Sequence, residues 1–308
     1  MSMHYGRKEL ERVLRLGAPL VMLDFLDVDK EAGRASGVKV SSIGESHFAG
    51  HFPGQPVLPG VLQTAGMVQV SQVLFNEMFP GEDDIVLLGL KRVKFRSPVM
   101  PGMMLSVECE LKGENEDGTV EFMVKNTCDD GKLASSGSVI LGRRAGWHEP
   151  YDTTGSNPVS ESVASAGSFL DSAAIMNILP HRYPFLFIDY IAKRDGDKVV
   201  AIKNVSANDS FFRGAPDDAA VPESLLCEMG AQAGCACVLS RPENAGKLGF
   251  FMAIDNAESL APIIPGDQLA IHIELPPSKG RFGKGSGEIR VNGEVRFRLT
   301  LMFAIVDA

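Results

Sequence analysis

The sequence has few of the features that define specialised protein classes. It has 5 cysteines in 308 residues, an odd number without CxxC metal-site spacing, which we interpret as reduced thiols rather than a disulfide framework. No run of about 18 apolar residues occurs, so no membrane-spanning helix is predicted. The N-terminal segment up to Leu16 carries charges where a secretory signal needs an apolar core. These absences favour a soluble, cytoplasmic protein.

Positive charge is also scarce. The chain has 30 Lys and Arg against 39 Asp and Glu, a net charge of −9, which excludes a global basic field for nucleic acid or an anionic membrane. An acidic partner would need a local basic patch. With 44% hydrophobic and 22% charged residues, the composition is that of an ordinary globular protein, so disorder and collagen-like repeats are excluded.

The two halves of the sequence resemble each other. Pro19–Asp24 (PLVMLD) corresponds to Pro184–Asp189 (PFLFID), 165 positions later. Three further blocks match at offsets of 163 or 164, namely His47–Gly50 with Phe211–Gly214, Val57–Leu62 with Ala220–Leu225, and Ser97–Gly102 with Ala261–Gly266. The shared order predicts a tandem duplication. We expect an N-terminal domain at 1–146 (half one), a linker at 147–168 rich in Ser, Gly, Pro and Thr, and a C-terminal domain at 169–308 (half two).

Each half shows the same order of predicted elements. A short helix and two strands precede a Gly/Pro loop, with the first strands expected at Val21–Asp27 and Leu186–Ala192. The loop leads into a long apolar segment, Val61–Met78 or Glu223–Leu239, predicted to be a buried helix. Three alternating segments then predict an antiparallel meander, and Asn292-Gly293 predicts a hairpin. The expected fold class is α+β, with two tandem hotdog domains, each a curved antiparallel sheet around one central helix.

The loop from Gly50 to Leu62 (GHFPGQPVLPGVL) carries the clearest chemical signal. Its prolines and glycines restrict the backbone that holds His51. Gly60 stands where the helix begins, so its N–H has no partner within the helix and lies at the positive end of the helix dipole. An imidazole beside a free amide suggests a general base next to an oxyanion hole.

This loop resembles the signature of the FabZ/FabA-type 3-hydroxyacyl-acyl carrier protein dehydratases, GHFPGxPxxPGVLxxEAMAQ. Leu179–Leu186 (LPHRYPFL), Lys203–Ser206 (KNVS) and Pro265–Gln268 (PGDQ) are similar to FabZ-type segments. The resemblance implies a hotdog fold and dehydration of 3-hydroxyacyl thioesters to trans-2-enoyl thioesters in fatty acid or related acyl-chain biosynthesis. It also implies a substrate carried on the phosphopantetheine of acyl carrier protein, without a metal or redox cofactor. Because the family's sites lie across a dimer interface, the halves are expected to pack as a pseudo-dimer; further association of chains is left open.

The sequence departs from the motif in both halves. The family's carboxylate lies fourteen residues after the His, where half one has Ala65. In half two Glu228 takes the carboxylate position, but Ala215 replaces the His and Glu223 replaces the glycine at the helix start. Packing as a dimer would complete one site and leave the other without a base or an acid. Losses confined to one site favour a single-site enzyme over a pseudoenzyme.

Roles follow from the resemblance. The Gly60 N–H would bind the thioester carbonyl, His51 would remove the C2 proton, and Glu228 would protonate the departing 3-hydroxyl. Apolar neighbours are expected to raise the pKa of Glu228 by desolvation. Gln232, one turn further on, is predicted to orient the carboxylate and contact substrate. Glu in place of the Asp of FabA-type enzymes favours dehydration without isomerisation.

Further site residues are predicted with alternatives open. Phe52, Pro59 and Val61 are expected to contact substrate. Arg92, Lys94 and Arg96 share one face of a predicted strand, forming either a solvated edge or a docking patch for an acidic carrier protein.

Simpler interpretations are kept for two histidines and for the activity. His47 is interpreted as packing and His181 as a structural residue, and neither is expected to bind metal. An acyl thioesterase on the same fold, or a non-catalytic acyl-carrier-binding protein, are the alternative functions.

Overall fold

The chain folds into two similar α+β units that share one antiparallel sheet. The computed structural model describes residues 2–147, 169–216, 219–244, 246–276 and 281–307. Apart from Trp147, the predicted linker lies outside the described residues, so the domain boundaries stay a prediction.

Each half contains a short helix, a long helix and a set of strands. Half one comprises β1 (Met3–Tyr5), α1 (Arg7–Leu14), β2 (Phe25–Asp29), β3 (Arg34–Val40), α2 (Gly60–Met78), β4 (Asp84–Phe95), β5 (Met104–Glu114), β6 (Val120–Cys128) and β7 (Leu133–Arg144). Half two comprises α3 (Ser172–Ile178), β8 (Tyr190–Asp195), β9 (Lys198–Asn204), α4 (Glu223–Leu239), β10 (Lys247–Ser259), β11 (Gln268–Glu274), β12 (Phe282–Val291) and β13 (Glu294–Asp307).

The two halves are joined edge to edge through their sheets. Among the described residues the strands run in the order β1-β2-β3-β5-β6-β7-β4-β10-β13-β12-β11-β9-β8. The junction is the antiparallel pair β4–β10, in register from Lys94 with Ala253 to Gly89 with Glu258. Half one's sheet wraps α2, half two's wraps α4, and the two long helices contact each other. This confirms the predicted tandem hotdog fold packed as a pseudo-dimer.

A buried glutamine on each central helix explains why the first predicted strands begin late. Gln69 Nε2 donates to the carbonyl of Leu20 at 2.7 Å, and its Oε1 accepts from the N–H of Met22 at 2.8 Å. The side chain thus satisfies backbone groups that a neighbouring strand would otherwise pair. The strand expected from Val21 therefore begins only at Phe25.

Each half has one more strand after its central helix than the sequence predicts. Four strands follow α2 (β4–β7) and four follow α4 (β10–β13), whereas three alternating segments were expected in each half. The additional strands, β4 and β10, are the ones that join the two halves. Register shifts interrupt β4 between Leu87 and Gly89 and between Lys91 and Lys94, and Arg92 has φ 51°. These bulges break the period-two pattern that identifies strands. The Asn292-Gly293 hairpin is confirmed, with φ of 52° and 82° at its two turn residues.

Two close backbone approaches place the loop of each half against the other half. A Cβ on Gly50 would lie 2.1 Å from the carbonyl oxygen of Arg182, and a Cβ on Gly17 would lie 1.8 Å from that of Gly214. The N–H of Arg182 donates to the carbonyl of Gly50 at 3.0 Å. Only glycine fits at these positions. The contact brings the loop after Gly50 beside the segment that follows α3.

Three observations concern the thiols, the helices and the metal-ligating side chains of the described part of the chain. All five cysteines are free thiols. None of the described helices is long and apolar enough to cross a membrane. The described residues also contain no group of three or more His, Cys, Asp or Glu side chains arranged to hold a metal ion.

Candidate active site

A cavity of about 350 Å³ lies where the two halves meet. Half one lines it with His51, Phe52 and Gly60, and half two lines it with His181 and Glu228. The predicted base and acid therefore face the same space although they come from different halves. The bulk of the remaining lining is apolar and runs along α4, so the cavity suits a substrate with one reacting polar end and a hydrocarbon tail.

His51 is held in one tautomer by the loop. Its Nδ1 lies 2.8 Å from the carbonyl oxygen of Val57. Because a carbonyl only accepts, Nδ1 carries the hydrogen and Nε2 keeps its lone pair. The ring stacks on Phe52 with 3.9 Å between centroids. Burial lowers the pKa of His51 to about 4, so the imidazole is neutral near pH 7 and able to accept a proton.

Glu228 lies in the second turn of α4 and is 4% exposed. Its Oε1 accepts hydrogen bonds from His181 Nε2 at 3.2 Å and from Gln232 Nε2 at 2.9 Å. Burial raises the pKa of Glu228, but the hydrogen bond and charge of His181, the neighbouring His51 and the Gln232 amide together outweigh it, and the pKa lies below its usual value. The predicted upward shift is therefore wrong: the apolar neighbours were identified, whereas the contact with His181 was not.

Gln232 holds the carboxylate relative to the backbone. Its Nε2 also donates to the carbonyl of Phe185 at 2.8 Å, and its Oε1 accepts from the N–H of Phe187 at 2.9 Å. The amide is 1% exposed. Both ends of the Gln232 amide are thereby fixed, and with them the direction of its bond to Glu228.

Gly60 is the first residue of α2 and lines the cavity. Its N–H lies in the first turn of the helix, where backbone N–H groups have no acceptor within the helix. A Cβ at this position would lie 2.9 Å from the ring of Phe95, so a larger residue would displace that ring. The amide can face a substrate carbonyl because no side chain covers it.

Two predicted substrate contacts are not supported by the geometry. Val61 is fully buried in the core of half one. Pro59 is the buried N-cap residue of α2. Neither lies among the described residues that line the cavity, whereas Phe52 and Gln232 do. The helix turns Val61 away from the cavity, and the lining resumes at Gln63.

His181 is the site residue that sequence reasoning missed. It was interpreted as structural, yet it lines the cavity, and its ring centroid lies 5.6 Å from that of His51. A signal was present in the repeat: the offset of 165 places Leu16 at the equivalent position of half one. A polar residue in one copy only is a departure of the same kind as the one that identified Glu228.

The predicted basic patch lies at the C-terminal end of β4, with Arg96 directly after the strand, beside the cavity. Arg92, Lys94 and Arg96 are all exposed. Arg96 lines the cavity and donates to Ser136 Oγ at 2.8 Å. The patch therefore adjoins the site, although the bulge at Arg92 interrupts the regular strand that was expected.

A second cavity of about 320 Å³ occupies the pseudo-symmetric position. Ala65 lines it where Glu228 lines the first cavity, and Leu16 takes the place of His181. No histidine lies among the described residues around it. Glu223 stands where half one has Gly60, and burial raises the pKa of its carboxyl to about 7. Ala215 closes a turn with Phe212 at the start of this loop, its N–H donating at 3.0 Å.

The first cavity continues away from the catalytic groups. Ala231 and Cys235, one and two turns beyond Glu228, line it. Four of its lining side chains also line a third cavity of about 530 Å³, namely Val238, Leu275, Phe303 and Ile305. These side chains therefore lie between the two spaces.

Comparisons with known proteins address both halves. Residues 31–138 match the family model ApeI-like, described as ApeI dehydratase, and residues 179–299 match the FabA-like domain. The 3-hydroxyacyl-[acyl-carrier-protein] dehydratase FabZ of Geobacillus thermodenitrificans (strain NG80-2) is 45% identical over 140 residues, which cover 45% of this chain and 97% of that protein.

Two solved structures resemble the whole fold. The dehydratase domain from the CurJ module of Curacin polyketide synthase has a TM-score of 0.65 at 13% identity, covering 93% of this chain and 96% of that one. The dehydratase domain of RzxB from Pseudomonas fluorescens has a TM-score of 0.59 at 16% identity, covering 92% and 98%. At these identities the likeness concerns the fold alone.

Proposed function

This chain belongs to the family of FabZ-type 3-hydroxyacyl-[acyl-carrier-protein] dehydratases and is an enzyme that removes water from 3-hydroxyacyl thioesters, and we propose that it does so at one composite site between its halves. The observation that carries the proposal is the shared cavity: His51 of half one and Glu228 of half two line it together. The second cavity has neither group at the equivalent positions, so one chain has one working site.

The geometry supports a division of roles. The thioester carbonyl binds at the Gly60 N–H, which stabilises negative charge as C2 loses its proton. His51 accepts that proton on Nε2, the nitrogen left free by the bond from Nδ1 to Val57. The C3–O bond breaks as the 3-hydroxyl takes a proton from the Glu228 carboxyl group, and water leaves. Both proton transfers are made by side chains, so the proposed reaction uses no metal or redox cofactor.

The proposed product is the trans-2-enoyl thioester without further isomerisation. This rests on Glu228, because the resemblance associates isomerisation with Asp at this position. An acyl thioesterase would release a free acid instead, so product identity separates the two functions.

The test is the replacement of each catalytic side chain by a neutral one of similar shape. His51→Asn and Glu228→Gln are each expected to lower kcat by at least about 100-fold, because each removes one proton-transfer group. Glu223→Gln, in the second cavity, is the matched control and should leave kcat unchanged. Full turnover by either catalytic variant, or release of free acid by the wild-type protein, would contradict the proposal.

We further propose that the substrate arrives on the phosphopantetheine of an acyl carrier protein that docks on Arg92, Lys94 and Arg96. These exposed cations adjoin the cavity, and complementary charge steers a partner toward a site. Arg92→Glu and Lys94→Glu should raise KM for a carrier-bound substrate and leave KM for a pantetheine-bound one unchanged. Equal effects on both substrates would assign the patch to a solvated edge.

The proposed compartment is the cytoplasm. All five cysteines are free thiols, and four of them are buried, which fits a reducing environment.

A further inference from the structure

Gln63 lies on α2 one turn after Gly60, and its side chain lines the cavity of the candidate active site. The residue is only 5% exposed. Its Oε1 accepts a hydrogen bond from Ser135 Oγ at 2.7 Å. Among the described residues, none accepts a hydrogen bond from its Nε2. A buried amide therefore borders the catalytic space with an N–H donor that the described structure does not use.

Two neighbouring side chains fix which end of this amide faces the cavity. Asn126 Nδ2 donates to the backbone carbonyl of Gln63 at 3.3 Å and to Ser135 Oγ at 2.9 Å. Because a carbonyl oxygen only accepts, the Asn126 nitrogen is the donor in both bonds. The Ser135 hydroxyl accepts from Asn126 and keeps its own hydrogen for Gln63 Oε1. The nitrogen of the Gln63 amide is thus the end that is left for the cavity.

The same amide lies close to the start of α2. Side chains on a helix tilt toward its N-terminus, so the side chain of Gln63 covers the turn that begins at Gly60. Phe95 links the two positions, because its ring would lie 2.9 Å from a Cβ on Gly60 and its backbone pairs with that of Ser135. The Gly60 N–H and the Gln63 amide therefore border the same part of the cavity.

The repeat shows that the fold does not require these three polar side chains. The offset of 163 places Leu226 at the position of the glutamine. Ile289 and Phe297 are paired across β12 and β13 as Asn126 and Ser135 are paired across β6 and β7. All three half-two residues are buried and apolar. The same positions of the fold are thus filled by an apolar set in one half and by a polar set in the other.

The polar set is unfavourable for stability in itself. Asn126 Oδ1 is buried without a hydrogen-bond partner among the described residues, and an unpaired buried acceptor destabilises a fold. The helix start of half one borders the first cavity, with Gly60, and that of half two borders the second, with Glu223. The polar set therefore occurs beside the cavity that holds the catalytic groups, which points to a role in the reaction.

We propose that Gln63 donates a second hydrogen bond to the thioester carbonyl oxygen, beside the one from the Gly60 N–H. The inference rests on the proposed function. As His51 removes the C2 proton, the electron pair of the C2–H bond moves toward C1 and negative charge gathers on the carbonyl oxygen. This pair then forms the C2=C3 double bond, the C3–O bond breaks, and the hydroxyl leaves as water with a proton from Glu228.

The carbonyl oxygen can accept both hydrogen bonds because it has two lone pairs. The Gly60 N–H uses one of them and leaves the other for a second donor. Ser135 and Asn126 hold the Gln63 amide in place before substrate binds. Donors that are fixed in advance in a cavity shielded from water stabilise most strongly the charge that develops in the transition state.

The other long polar side chains of this cavity are committed to protein partners. Both ends of the Gln232 amide are bound, to the backbone of Phe185 and Phe187 and to Glu228. Arg96 is exposed and donates to Ser136 Oγ. Gln63 is therefore the buried amide of the described lining whose N–H is available to a substrate.

The first test replaces Gln63 by leucine, the residue that half two has at this position. Gln63→Leu keeps the approximate size of the side chain and removes the donor. Loss of one such donor lowers kcat by about 100- to 1,000-fold in enzymes of this kind of chemistry, and we expect at least about 10-fold here because the Gly60 N–H remains. KM should change by less than about 3-fold, for carrier-bound and pantetheine-bound 3-hydroxyacyl thioesters alike.

A second variant separates loss of the donor from loss of stability. Gln63→Leu also leaves the Ser135 hydroxyl without its acceptor, which destabilises half one. The triple variant Gln63→Leu, Asn126→Ile and Ser135→Phe gives half one the apolar set that already packs in half two. We expect its free energy of unfolding to return toward that of the wild-type protein, whereas kcat per folded molecule stays as low as in Gln63→Leu.

Three results would overturn the proposal. The first is recovery of kcat together with stability in the triple variant. The second is a loss of kcat smaller than about 10-fold in folded Gln63→Leu, which decides the question alone if the triple variant does not fold. The third is a raised KM with unchanged kcat, which would assign the amide to the pantetheine arm rather than to the reacting carbonyl.

A measurement without turnover separates this inference from the proposed function. The probe is a saturated acyl-pantetheine thioester with a ¹³C-labelled carbonyl, which lacks the 3-hydroxyl and cannot be dehydrated. Binding to the wild-type protein should lower its C=O stretching frequency, and Gln63→Leu should lose part of that shift. An equal shift in both proteins would refute the role of Gln63, whatever the activity. A wild-type protein inactive on every 3-hydroxyacyl thioester would refute the proposed function instead.

Discussion

Gln232 and Gln69 occupy equivalent positions in the two halves, and only one of them faces a carboxylate. Each amide accepts from one backbone N–H and donates to one backbone carbonyl: Phe187 and Phe185 in half two, Met22 and Leu20 in half one. Gln232 also donates to Glu228 at 2.9 Å. Replacing both by methionine, which keeps the length of the side chain, separates the structural bonds from the catalytic one.

The expected loss of stability follows from the bonds removed. Either substitution leaves one N–H and one carbonyl buried without a partner, at about 1–3 kcal/mol each. We therefore expect Gln69→Met and Gln232→Met each to lower the free energy of unfolding by about 2–6 kcal/mol, as measured by urea denaturation. The similar size of the two losses is the first check, because the backbone bonds are the same.

The expected loss of activity differs between the two variants. Gln232→Met removes one of the two hydrogen-bond donors that hold Glu228, so the carboxylate is no longer held in one direction. If this costs about 1.4 kcal/mol of transition-state stabilisation, kcat falls by about 10-fold, and this is the loss that we expect. Gln69→Met should leave kcat unchanged, because Ala65 has no carboxylate to orient. Both values are taken per folded molecule, by hydration of a trans-2-enoyl thioester at a temperature below the unfolding transition.

Two results would refute this reasoning. Equal losses of kcat in both variants would mean that the defect spreads through the core rather than through Glu228. Loss of stability in Gln232→Met with wild-type kcat would mean that His181 alone orients the carboxylate.

Three further predictions concern the second cavity and the side chains between the first and third cavities. Ala65→Glu in the His51→Asn background should give no turnover, because the second site also lacks a base; activity there would contradict the single-site assignment. Glu223→Gln should raise the free energy of unfolding at pH 8 by up to about 3 kcal/mol and leave it unchanged at pH 4.5. The sign follows because burial raises the folded-state pKa of Glu223 to about 7, so ionisation above that pH costs stability. Phe303→Ala should join two cavities and raise kcat/KM for longer acyl chains relative to short ones; unchanged chain-length preference would show that Phe303 does not separate them.

The repeat made the fold and the central pair of the site predictable. Ala65 and Ala215 are identifiable as losses because the other half supplies the comparison, and packing two copies as a dimer then brings His51 to Glu228. Helix phase was harder: Val61 directly follows Gly60 in the chain, but one residue of rotation points it into the core. Motif membership alone does not tell which side of a helix faces the cavity.

His181 could not be assigned without the fold. It precedes Glu228 by more than forty residues, on a segment whose path depends on the backbone approach of Gly50 to Arg182 and on the amide of Gln232. The direction of the Glu228 pKa depends on that contact, so an argument from apolar neighbours alone gave the opposite sign. The sequence identifies the ionisable side chains, but the effect of one on the pKa of another depends on the distance between them, which only the structure gives.

The pairing of β4 with β10 has a consequence for how this protein can vary. In a homodimer every substitution appears in both subunits, so a glutamate at the helix start would enter both sites and cover the amide that each needs. Here the two copies are different segments of one chain, so Glu223 occupies the start of α4 while Gly60 stays at the start of α2. A mutation can therefore change one cavity and leave the other unaltered. The second cavity is thus free to diverge in sequence without loss of turnover at the first.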